Sequence, residues 1–269
     1  MKKGQPRTNS WVTRNTARVC ASFAAASLLG STLLATTGCR SPNFGSVFSM
    51  SKSQEVQLGQ EAAVQVEREN KIITSGPKYE QLQRVAARIL PLARRDYDVP
   101  FSVKLIDNKE INAFALPGGP IYFYSGLLDL AASDDEVASV LGHEATHIVK
   151  RHSVKQMSDA QTKSFIAQLA LGKSSDLAQA AAGIVLQLDR LKFSRGDESQ
   201  SDDVGFKYMT QAGYNPDAMA SFFRKMGAKT GKGGTEWLQS HPLTDTRVKA
   251  AEKRANEYQQ GQGGTNAVK

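Results

Sequence analysis

The segment "LGHEATHIVKRH", residues 141–152, holds three of the chain's four histidines. His143 and His147 stand four apart, so on an α-helix their rings leave one face about a turn from each other. Two neutral imidazoles placed in this way can share a zinc ion at ~2.0–2.1 Å each. Glu144, beside the first histidine, can reach a water on that ion without ligating it. Zinc lowers the pKa of such a water toward ~7, and a neighbouring carboxylate can take its proton. Three fixed residues in five recur by chance, so the surroundings must decide. The competing reading is a buried helix whose two histidines only hydrogen-bond. Here the helix has a marked start: Ser133 as cap, Glu136 completing a capping box, and Asp134 and Asp135 at the positive end of the dipole. Val137, Val140, Leu141 and Ile148 supply its apolar face. His152, five residues past His147, falls well around such a helix and is expected at the surface.

A catalytic zinc takes three protein ligands and a water. Glycine and histidine at three and six residues past His147 would supply the third ligand in one known pattern. Lys150 and Ser153 stand there instead. Residues 148–197 contain no glutamate; only Asp159, Asp176, Asp189 and Asp197 offer carboxylates. Glu198 is the first glutamate beyond the motif, in "FSRGDESQSDDVGFKYM", and Asp202 follows it by one helical turn. By elimination Glu198 is the third ligand and Asp202 the acceptor for the second N–H of a ligating histidine. The alternative is a solvated acidic face made of Glu198, Asp202 and Asp203.

These groups need elements to position them. Helical stretches are predicted near Gln54–Asn70 and Lys78–Asp96, the second with Leu82, Val85, Ile89 and Leu92 at helical spacing. "VPFSVKLID" alternates as a strand does. "INAFALPGGPIYFYSG" reads as strands near 111–115 and 120–125, turned by Pro117-Gly118-Gly119-Pro120. "INAFAL" lies where a strand edge could hold an extended peptide upstream of the motif helix. After Ser125 the pattern is helical, with breaks at Gly172–Ser175, Gly213–Pro216 and Gly227–Gly234. "TGKGGTEW" lacks the spacing of a phosphate loop and is read as a plain loop. The Met and Phe residues of "YMTQAGYNPDAMASFFRKM" are assigned to packing. No repeat appears, and the fold class is α+β: helices, a small sheet, then helices.

The chain has 269 residues, 40% of them hydrophobic, and a formal charge of +8. Its first 38 residues carry Lys2, Lys3, Arg7, Arg14 and Arg18 and no acid, so the remainder holds +3 in mixed signs. No basic stripe with interleaved aromatics remains, which argues against a nucleic-acid partner. Residues 1–38 combine a basic start with an uncharged apolar run ending in small residues, the pattern of a secretory signal. The run stops at Cys39, as in a bacterial lipobox, although Thr36 stands where leucine is usual. An uncleaved anchor helix over Val19–Thr37 is the alternative. Cys20 is the only other cysteine, so a mature chain starting at Cys39 has no internal disulfide. The expected division is a signal at 1–38, a lipidated tether at 39–52, one catalytic domain at 53–259 and a disordered tail at 260–269. Arg40 follows Cys39 where inner-membrane retention commonly uses aspartate, so the periplasmic face of the outer membrane is the expected location.

"NAFALPGGPIYFYSGLL", "LGHEATHIVKRH", "FSRGDESQSDDVG" and "HPLTDTRV" occur in an order and spacing similar to the HtpX and CAAX-prenyl-protease-type zinc endopeptidases, metallopeptidase family forty-eight. The resemblance covers about 54–255. It implies a gluzincin-like, mostly helical domain whose small sheet has its edge strand before the zinc helix. It implies one zinc ion held by His143, His147 and Glu198, with Glu144 as base and Asp202 as a supporting acid and proton donor. It also brings His241, in the His-Pro segment, close to the metal, either as an N–H donor to the oxyanion or as a fourth ligand that gates the site. The sequence lacks transmembrane helices around the domain and a long helical-repeat extension, and so looks like the small periplasmic lipoprotein members. The implied function is endopeptidase cleavage of unfolded or misassembled envelope proteins. A holdase or assembly factor with a closed metal site is the other class. Purely structural zinc fits less well, since such sites usually fill all four positions with protein ligands, mostly cysteine.

Overall fold

Helix α1 (Lys52–Glu69) opens the fold with a reciprocal cap. The Ser51 hydroxyl accepts from Gln54 N, and the Gln54 side chain accepts from Ser51 N. The computed structural model describes residues 50–157, 159–171, 178, 179, 181–183, 185, 192–229 and 235–266. The leader, Cys39 and residues 230–234 of the "TGKGGTEW" segment lie outside the described residues. Among those described, no helix is long and apolar enough to cross a membrane.

After β1 (Ile72–Ile73), α2 (Pro77–Asp96) begins on a proline, whose missing N–H would be unpaired there in any case. Its stripe Leu82, Val85 and Ile89 is fully buried, while Leu92 is partly so. Then come β2 (Ser102–Ile106), β3 (Ala113–Ala115) and β4 (Pro120–Tyr124). The sheet order is β1-β2-β4-β3, with β2 and β4 parallel and the other pairs antiparallel. Thus β3, from "INAFAL", is an outer strand. The two residues of β1 are too few to show any alternation, so nothing in the pattern reveals them. The turn between β3 and β4 requires its glycines: Gly118 and Gly119 have φ of 72° and 136°. A Cβ on Gly118 would also lie 2.4 Å from the Glu55 carbonyl oxygen, so α1 can rest directly on the turn.

The remainder is helical: α3 (Ser125–Leu130), α4 (Asp134–Val149), α5 (His152–Gln156), α6 (Asp159–Leu171), α7 (Arg195–Gln211), α8 (Ala218–Ala228), α9 (Glu236–Ser240) and α10 (Asp245–Asn266). The last continues beyond residue 259. Helix α4 packs on α2, α7 and α8, and every residue from Glu136 to Ile148 is buried. Such all-round burial makes it the axis of the domain. Ser133 caps it, accepting from Glu136 N. The predicted capping box is not completed: the Glu136 carboxylate instead accepts from Ala132 N, Ser221 Oγ and Lys225 Nζ. Two of these three partners, Ser221 and Lys225, come from α8. Met209, Met219, Phe222, Phe223 and Met226 are all buried, as packing residues should be.

Helices α4 and α7 meet at two glycines. A Cβ on Gly142 would lie 2.8 Å from the Gly205 carbonyl oxygen, and one on Gly205 would lie 2.7 Å from His143 N. Only hydrogen on each Cα permits this approach, which brings the acidic turn of α7 against the histidine turn of α4.

Candidate metal centre

His143, His147, Glu198 and His241 are buried together, with one ligand atom from each lying within 4.8 Å of every other. The i, i+4 spacing delivers the first two from α4; α7 delivers Glu198, and the end of α9 delivers His241. His143 Nε2 lies 3.0 Å from His147 Nε2 and 3.2 Å from His241 Nδ1. Glu198 Oε1 lies 2.9 Å from His241 Nδ1 and 3.5 Å from His147 Nε2, and Oε2 lies 3.6 Å from His143 Nε2. Ligands set tetrahedrally around zinc at ~2.0–2.1 Å stand about 3.3 Å apart. The measured separations bracket that value.

Donor chemistry points the same way. Arg247 donates to both oxygens of Asp202, from Nε and Nη2, at 2.8 Å each. Asp202 Oδ1 also accepts from His143 Nδ1 at 3.0 Å. The proton on Nδ1 leaves His143 Nε2 as a lone pair, facing two further imidazole nitrogens and a carboxylate. A cation among them would resolve that convergence of acceptors. Burial lowers the pKa of His143, drives that of His147 far down and holds His241 at about 3. All three rings are therefore neutral near pH 7, as metal ligands must be.

The carboxyl groups fall into different states. Burial raises Glu144 well above the usual range, against the opposing hydrogen bond from Trp237. Burial raises Glu198 as well. Burial also pushes Asp202 upward, but the hydrogen bonds from Arg247 and His143 outweigh it and hold the group at about 2. Glu144 points beside the cluster, with Oε1 3.1 Å from Trp237 Nε1 and 3.6 Å from His241 Nε2.

The structure thus brings together all six residues singled out by sequence and adds three more. Arg247 Nη1 reaches Glu198 Oε2 at 2.5 Å and the Pro242 carbonyl at 3.1 Å, tying both carboxylates to the segment after His241. Trp237 stacks on His241, with ring centroids 4.8 Å apart. Phe193 covers His147 at 3.9 Å between centroids, and its N–H donates to the Ser240 carbonyl. "HPLTDTRV" contained Arg247, but an arginine in the first turn of a helix gives no local sign of burial.

His152 is a correction. It is 1% exposed, not at the surface. Helix α4 does not continue straight: Arg151 adopts a left-handed conformation, φ 60°, and α5 restarts at His152. The break swings the imidazole back, to 3.0 Å between its Nδ1 and that of His147.

A helix presenting two histidines and a glutamate, completed by a carboxylate from a second helix, defines a metallopeptidase domain. The chain belongs to peptidase family M48, whose model matches residues 77–255. It is 28% identical to the beta-barrel assembly-enhancing protease of Escherichia coli K12, over 78% of this chain and 45% of that protein. It is 31% identical to the mitochondrial metalloendopeptidase OMA1 of Schizosaccharomyces pombe, over 66% of this chain and 53% of that one. It is 24% identical to metalloprotease YcaL of E. coli K12, over 74% of this chain and 79% of YcaL. The chain spans between about a third and a half of the length of the beta-barrel assembly-enhancing proteases it matches.

Proposed function

We propose that this protein is a zinc-dependent endopeptidase of the bacterial cell envelope, cleaving peptide bonds of unfolded or misassembled proteins. One observation carries this: four buried donors converge at tetrahedral spacing while a fifth group, Glu144, is held beside them. Bound zinc would supply Lewis-acid polarisation of water and of the scissile carbonyl. His143, His147 and Glu198 would hold it, and Asp202 keeps His143 in the tautomer that leaves Nε2 free. Glu144 accepts the proton of the attacking water, and Trp237 Nε1 fixes where its carboxylate points.

His241 is assigned the gate. Its Nδ1 stands among the donors, 2.9 Å from Glu198 and 3.2 Å from His143, and in that position it would fill a fourth site. The geometry also keeps a second class in view, a holdase whose closed site turns over little. Digestion of casein by the full-length protein, with and without a chelator, separates the two. Glu144→Gln is expected to keep its metal and lose ~10²–10⁴-fold in turnover; near-normal turnover ends the proposed mechanism. His241→Ala should raise basal proteolysis. A fall of ~10²–10³-fold would instead mark an oxyanion donor.

The envelope assignment is supported by relatives named for beta-barrel assembly and by the leader ending at Cys39. Lipid on Cys39 is proposed to hold the protein at the periplasmic face of the outer membrane. Cys39→Ser should release an active domain, whereas retention would support an uncleaved anchor.

A further inference from the structure

His143 and His147 each have a second ring nitrogen facing away from the cluster. That of His143 is held by Asp202, in the manner usual for ligating imidazoles. Among the described residues no acid sits on Nδ1 of His147; the atom there is Nδ1 of His152, at 3.0 Å. Two facing imidazole nitrogens bond only if one carries a proton and the other a lone pair. His147 must present Nε2 to the cluster as a lone pair, so its proton sits on Nδ1 and His152 Nδ1 is the acceptor. The proton of His152 then lies on Nε2, where Gln200 Oε1 accepts it at 3.0 Å. Asp197 Oδ1 is 3.5 Å from the same nitrogen, and Ser201 Oγ approaches His152 Nδ1 at 3.4 Å.

We propose that His152 is a positioning residue for the metal site: its Nδ1 lone pair fixes the tautomer and ring plane of His147, and Gln200 fixes its own. The inference rests on the zinc reading of the cluster. An independent observation supports it. Arg151 is the one non-glycine residue with positive φ among those described. Such a conformation is strained for an arginine and persists only where its surroundings impose it. The imposing contacts are visible: its guanidinium bonds Glu55, buried on α1, and donates from Nη2 to the Met50 carbonyl at 2.6 Å. A straight continuation would carry the ring at 152 about 140° around the helix from His147. The strained residue is thus what returns His152 to its partner.

Two polar substitutions separate the hydrogen bond from mere packing. In His152→Asn the side-chain oxygen can occupy the place of Nδ1 and still accept from His147. In His152→Gln the acceptor sits where Nε2 was, out of reach. Zinc affinity of the full-length proteins is measured by competition with a chromogenic chelator, and the cobalt-substituted forms are compared by visible absorption. His152→Gln is expected to lose ~10–100-fold in affinity and to shift the cobalt spectrum, with His152→Asn within about threefold of the unaltered protein. Equal affinity in all three, or equal loss in both variants, overturns the proposal. If the unaltered protein binds no zinc while remaining folded, the zinc reading falls first and this inference with it.

Discussion

The two histidines of α4 look equivalent in sequence, yet the molecule supports them by opposite physics. Behind His143 the support is ionic: a carboxylate held at about 2 by a bidentate arginine, with all three side chains buried. Behind His147 it is the imidazole of His152, bonded in turn to Gln200, with the half-buried Asp197 carboxylate 3.5 Å from its outer nitrogen. A carboxylate strengthens the ligand it supports and draws in a cation, but it is costly to bury unless paired. A neutral acceptor orients the ring without adding charge. Had both supports been carboxylates, Glu198 and Glu144 would bring the pocket to four acids against one arginine. The asymmetry keeps the buried acids at the cluster to three among the described residues, one of them paired with Arg247 on both oxygens.

The harshest test of the ionic side is Arg247→Leu. It leaves Asp202 and Glu198 buried without their cation, and breaking a buried pair in this way costs ~3–5 kcal/mol. Urea unfolding of the metal-free protein should show that loss. A change below about 1 kcal/mol would mean Arg247 does not anchor the ionic side.

Next in size is Gly205→Ala, which affects both supports at once. The added methyl would meet His143 N at 2.7 Å, forcing α7 away from α4. Overpacking of this kind costs ~1–3 kcal/mol. Thermal unfolding should report it, and zinc affinity should fall in parallel. A stable variant with full affinity would show that the close approach is incidental.

Asp202→Asn keeps the shape and removes the charge. Zinc affinity is expected to drop ~10–100-fold, with the fold retained. This loss should exceed that of His152→Gln, since the ionic support adds ligand basicity to orientation. Asp202→Asn indistinguishable from the unaltered protein would reduce it to a buried structural acid.

The smallest effect belongs to Gln200→Ala. It removes only the acceptor bonded to the outer nitrogen of His152, a hydrogen bond worth about 0.5–1.5 kcal/mol. Zinc affinity measured beside His152→Gln should therefore fall less than in that variant. A larger fall would mean Gln200, not His152, organises that side.

The sequence by itself determined how α4 starts and how it presents its two histidines. Histidine spacing, the Ser133 cap and the acidic first turn are local, and a helix's period places the rings without reference to anything else. Glu198 and Asp202 were legible for a related reason: they share one helical face, and no other glutamate lay between them and the motif. The turn at 117–120 was legible because two of its residues must be glycine. What only the tertiary structure decided were contacts between segments far apart in the chain. Arg247 pairs with residues 45 and 49 positions earlier, Glu136 left its predicted cap for Lys225, and Phe193 came to lie over His147. His152 was misplaced for a subtler reason. Helical periodicity assumes a straight axis, and the axis breaks at Arg151 because Glu55, 96 residues earlier, holds its guanidinium. Periodicity describes one element at a time, whereas burial and pairing are settled only when the elements pack.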